Sequence, residues 1–148
     1  MLEKMARILF VLAITGFLLL IGAQATRLPR VDEMFFHDAA IRWALTGAQD
    51  YGLWHTPFYL EALKLWQRVI GIAGPEDLTR IWILRAFGAC TALLTAALVF
   101  FELRRRRKDH ATAGALLFTS LLLLHPYFIQ SALLLDIDNT LQMPLLVG

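Results

Sequence analysis

The chain alternates long apolar runs with short polar borders, and three of those runs have lengths that suit a bilayer. The first, ILFVLAITGFLLLIGA, covers Ile8–Ala23 behind Lys4 and Arg7. Its ~16 residues reach about 24 Å, so flanking residues complete a span over about 6–24. Ala23-Gln24-Ala25 is also an A-x-A pattern after an apolar core, which leaves signal-peptide cleavage as the alternative to a retained helix. The second span covers 81–103 and stops at Arg104, where RRRRK begins. The third covers 111–128, with Pro126 kinking or ending it. A fourth begins at about 130–138, within SALLLDIDNTLQMPLLVG.

A different period governs the long loop at about 25–80. In TPFYLEALKLWQRVIG, Thr56 is a candidate N-cap, Pro57 fits the first helical position and Gly71 is the stop. Glu61, Lys64 and Arg68 are set against Phe58, Leu65, Trp66 and Val69, which is an amphipathic helix. A shorter helix is expected from about Phe36 to Thr46, closed by Gly47. Trp43, Trp54 and Trp66 lie in this loop and Trp82 opens the next span, where interfacial aromatics belong. The pattern predicts an all-α, polytopic transmembrane helix bundle with amphipathic juxtamembrane helices in its first outer loop.

Composition supports that class. Hydrophobic residues make up 58% of the chain and charged ones 18%, and the mean hydropathy is +0.59, too apolar for an ordinary soluble domain of 148 residues. The net charge of +2 is small, but the one dense cationic block follows a span directly. That placement fits a cytoplasmic anchor better than a nucleic-acid surface, and puts the N-terminus inside and the 25–80 loop outside a plasma (inner) membrane. The single cysteine, Cys90, permits no intrachain disulfide.

Against this background the carboxylates stand out, because a charged acid at a helix centre in lipid costs roughly 2.5–3.5 kcal/mol on insertion scales. Asp32 and Glu33 follow the first span closely; Asp136 and Asp138 follow the third. If the fourth helix starts near Asp138 they lie at its mouth, and if it starts at Phe128 they sink two to three turns deep. Acids from opposite ends of the chain thus meet one surface, with Arg80 and Arg85 as nearby cations. A carboxylate base on one side and cations on the other suit deprotonation of a hydroxyl while a phosphate leaves. Glu33 and His37 are spaced i, i+4; two ligands do not make a metal site, so no cofactor is required and a divalent metal stays open.

The order of these features resembles the GT-C membrane glycosyltransferases, nearest to protein O-mannosyltransferases and lipid A aminoarabinose transferases. It rests on Asp32-Glu33 after the first helix, Thr46-Gly47, His55-Thr56-Pro57-Phe58-Tyr59, Arg85 followed after eighteen residues by Arg104-Arg105, Pro126-Tyr127-Phe128, and an aspartate opening the next helix. It covers about residues 5–148 and corresponds to the N-terminal third or so of such an enzyme. The resemblance implies Asp32 as the catalytic base beside Glu33, and Asp138 as the second catalytic carboxylate, with Asp136 one register step away. It implies Arg85, His55 and Tyr59 on the donor side; His55 stands where some members carry a lysine. The implied partners are a polyprenyl-phosphate sugar donor, a lipid, glycan or protein acceptor, and membrane lipids. The alternative from another class is a non-catalytic or transport protein in which Asp136 and Asp138 form part of an ion or proton path.

Overall fold

The computed structural model describes residues 1–25, 27, 57–70, 81–106 and 111–133. These form five helices and, among the described residues, no strand: α1 Leu2–Ala25, α2 Pro57–Ile70, α3 Ile81–Arg106, α4 Ala111–Leu124 and α5 Pro126–Leu133. The expected short helix at 36–46, and Asp32, Glu33, His55, Asp136 and Asp138, lie outside the described residues.

Helices α1 and α3 carry 24 and 26 residues, about 36 and 39 Å at 1.5 Å per residue, enough for a hydrocarbon core of about 30 Å. Their most apolar windows average hydropathies of 2.4 and 1.9, and both helices pass as candidate spans. Only 11% of the α1 window and 33% of the α3 window is buried within the protein, so most of both surfaces meets the surroundings. On α1 those outward positions are Ile8, Val11, Leu12, Leu18 and Leu19, which suit lipid and not water. The described residues are thus all-helical in their regular structure, with two helices long and apolar enough to cross a membrane.

Inward positions on α1 recur at a spacing of three and four: Ala6, Phe10, Ala13, Phe17, Ile21. Ala6 packs with Ala113 and Leu116 of α4, and Phe10 stands 6.4 Å from Phe100 of α3, centroid to centroid. Further along, Ala13 and Phe17 join Ala92, Ala96, Leu123, Phe128 and Ala132. Helix α1 therefore runs alongside α4 and opposite to α3. Lys4, Arg7, Arg104 and Arg105 consequently fall at one end of the bundle, the basic end.

Small side chains make this packing possible. Gly88, Ala92 and Ala96 repeat every fourth residue on α3, a pattern that lets membrane helices approach closely. The approach is closest at Gly88: a Cβ built there would lie 2.6 Å from the Ala132 carbonyl oxygen of α5. Backbone cannot yield as a side-chain tip can, so Gly88→Ala should push α5 from α3. The expected loss is about 1–3 kcal/mol, as for other overpacked sites, read as a lower denaturation midpoint in detergent. An unchanged midpoint would show that the two helices part freely.

Three buried hydroxyls are satisfied within their own helices. Thr91 donates to the Gly88 carbonyl, Thr95 to Thr91 and Ser120 to Leu116, over 2.6–2.9 Å. Thr119 Oγ1 is buried without a hydrogen-bond partner among the described residues.

The third span, expected over 111–128 with a kink or an end at Pro126, is broken beside that proline. Helix α4 closes at Leu124, His125 is non-helical, and α5 departs at 61°. Pro126 is the cause: it has no N–H for the Leu122 carbonyl and its ring crowds that turn. The His125 N–H donates to Leu122 instead, tightening the turn, and the His125 carbonyl accepts from Ile129 to open α5. Proline suits that first helical position because its missing donor would have been unpaired there. Helix formation thus resumes at Pro126, ahead of the 130–138 expected for a fourth helix. The two pieces can together form one broken span.

Candidate functional site

The end opposite the arginine block is organised by Arg85. Its side chain arises one turn into α3 and only 5% of the residue is exposed. Nη1 donates to the carbonyls of Gln24 at 2.8 Å, Ala25 at 3.1 Å and Arg27 at 2.8 Å. The last four carbonyls of a helix have no partner within it and carry the negative end of its dipole. A guanidinium there supplies donors and charge together. The interaction helps to accommodate an arginine at the end of an apolar helix.

One turn of α3, Arg85 to Gly88, thereby ties three segments into one junction. Arg85 holds the end of α1, Phe87 receives the Trp66 ring of α2 at 5.7 Å, edge to face, and Gly88 meets α5 at Ala132. Helix α2 begins at Pro57 and closes at Ile70, before Gly71, and the period of its sequence is that of an amphipathic helix. Leu65 and Val69 are nevertheless exposed, at 63% and 74%. The apolar face is anchored through half-buried Trp66 and leaves neighbouring apolar groups outward, as a helix lying on a membrane would. Trp82 is also exposed, at 45%, at this same end, where aromatics favour the membrane–water boundary.

Of the residues anticipated as functional, Arg85 is at the junction and Tyr59 is on α2. The candidate acids are connected to the junction by short lengths of chain. Asp32 is five residues beyond Arg27, a reach of at most about 18 Å, and Asp136 is four residues beyond Ala132, at most about 14 Å. Asp138 has a reach of about 22 Å from the same point. The described residues contain no group of three or more His, Cys, Asp or Glu able to hold a metal.

Sequence reasoning selected Arg85 by position but did not identify the carbonyls it holds, and it overlooked Gly88. The Gly88-Ala92-Ala96 repeat carried the latter signal. The Arg85 contacts had none, because backbone carbonyls are the same at every residue. No family model, curated protein or solved structure matches the chain.

Proposed function

We propose that the protein is a membrane glycosyltransferase of the GT-C kind, moving a sugar from a polyprenyl-phosphate donor to an acceptor hydroxyl at the outer face of the membrane. The observation that carries this reading is the junction at Arg85 and Gly88. It gathers the end of α1, which leads to Asp32 and Glu33, and α5, which leads to Asp136 and Asp138, at one end of the bundle. Acids far apart in sequence are thereby tethered within short reach of one buried cation.

In this mechanism Asp32 removes the acceptor hydroxyl proton as that oxygen attacks the anomeric carbon. The new C–O bond forms as the bond from the anomeric carbon to the phosphate oxygen breaks, the electron pair leaves with polyprenyl phosphate, and the configuration inverts. A positioned base contributes about 10²–10⁴ in rate. The Arg85 charge favours the departing anion at this end of the bundle, while its Nη1 bond holds the Arg27 carbonyl, five residues ahead of Asp32. Asp138 is the second catalytic carboxylate, with Asp136 beside it. Glu33, His55 and Tyr59 complete the proposed donor and acceptor surroundings.

The proposed topology follows from the ends of the bundle. The shared basic end, Lys4, Arg7, Arg104 and Arg105, is cytoplasmic, and the Arg85 junction is outside. In a cysteine-free background, Ala48→Cys should react with a membrane-impermeant maleimide added to intact cells. Labelling confined to inside-out vesicles would reverse the topology and remove the proposed outer-face reaction. The function itself is tested by supplying labelled polyprenyl-phosphate sugars to membranes with and without the full-length protein; absence of protein-dependent transfer across sugars and acceptors would overturn it.

A further inference from the structure

We propose that the protein holds an anionic glycerophospholipid at its basic end, with one acyl chain in a groove between α1, α3 and α4. The groove is a cavity of about 210 Å³, lined by apolar groups that include Phe10, Ile14, Ala97, Phe100, Phe101 and Leu123. An apolar protein cavity of ~150 Å³ stays dry and admits a benzene ring, so this one takes several methylenes of a hydrocarbon chain. Its position within two spanning helices makes a lipid tail the hydrocarbon at hand.

The headgroup follows from charges that continue the same helix faces. On α1, Arg7 precedes Phe10 and Ile14 at i, i+3 and i+7; on α3, Phe101 is followed by Arg104 and Arg105 at i+3 and i+4. Residues at these spacings share a helix face, so both walls of the groove lead to arginines. Arg105 pairs with Glu102 at 3.1 Å and Arg7 with Glu3, while Arg104 makes no ion pair among the described residues. With Lys4 beside them, the cations outnumber the two acids. A tail pocket opening toward excess positive charge fits a lipid whose phosphate head is net negative.

The polyprenyl donor of the proposed reaction would place its phosphate at the opposite end, near Arg85, so this lipid site is separate from that chemistry and stands without it. Native mass spectrometry tests the site on the full-length protein in micelles containing equal amounts of phosphatidylglycerol and phosphatidylcholine. Phosphatidylglycerol should be retained over phosphatidylcholine by about tenfold or more, since each cation near an anionic headgroup contributes about fivefold. Arg104→Gln with Arg105→Gln, both exposed, should lower that preference at least about fivefold. Ala97→Phe, also at an exposed position, should fill the groove and reduce retention of both lipids. Equal retention of the two lipids by the native protein, or undiminished retention by Ala97→Phe, overturns the proposal. So does co-purification of an isoprenoid phosphate that excess phosphatidylglycerol does not displace.

Discussion

Asp32→Asn should lower sugar transfer by a factor on the order of 10²–10⁴ while leaving membrane insertion intact, because the amide keeps the shape of the side chain and removes the base. The effect should fall on turnover more than on donor affinity, since the proton moves only as the acceptor oxygen attacks. Asp138→Asn should be nearly as damaging and Asp136→Asn clearly milder. On one continuous helix the two would lie about 200° apart and could not both face a single pocket. Transfer assays with the full-length protein decide the matter: full turnover by Asp32→Asn would remove the mechanism. Equal losses at 136 and 138 would show only that the register between them is misassigned.

Arg85→Met should destabilise the bundle by about 3 kcal/mol, the largest stability effect expected of a single substitution here. Methionine retains much of the apolar stem but removes the donor that Arg85 gives to the Gln24, Ala25 and Arg27 carbonyls, of which Gln24 keeps the Arg27 N–H. A hydrogen bond from a charged donor is worth about 1.5–3 kcal/mol, and the dipole of α1 loses its counter-charge. Arg85→Lys should cost roughly half as much: its ammonium preserves the charge and has three donors, but its stem is one bond shorter than the reach of Nη1 to the three carbonyls. Denaturant titration in mixed micelles gives the midpoints. If Arg85→Met matches the native protein, the cap contributes nothing. Transfer by Arg85→Lys separates the two proposed duties of the residue: recovered stability without recovered turnover would point to direct action on the departing phosphate.

Much of the helical plan was legible because each signal is local. Apolar runs long enough to cross lipid marked α1 and α3, and Pro57 with Gly71 bracketed α2, since a missing donor and a flexible stop act on their own turn of chain. The course of 111–133 was only half legible. Pro126 announced a break, but whether the chain would stop, kink or restart depended on what the second piece met. It met Gly88, and the small-residue face of α3 offered α5 a closely packed place at 61° to α4.

The candidate site divides in the same way. By itself the sequence determined that acids and arginines border the spans, because the cost of charge in hydrocarbon confines them there. It also determined which end of each span is basic. Only the tertiary structure decided that Arg85 is committed to carbonyls at and just beyond the end of α1, and that α5 returns to the same junction. The physical reason is that these contacts join backbone atoms and small residues across about 44 to 61 positions of chain, where no side-chain pattern records a partner. A helix end needs a donor and a close crossing needs a glycine, but which segment meets that need is settled by packing alone.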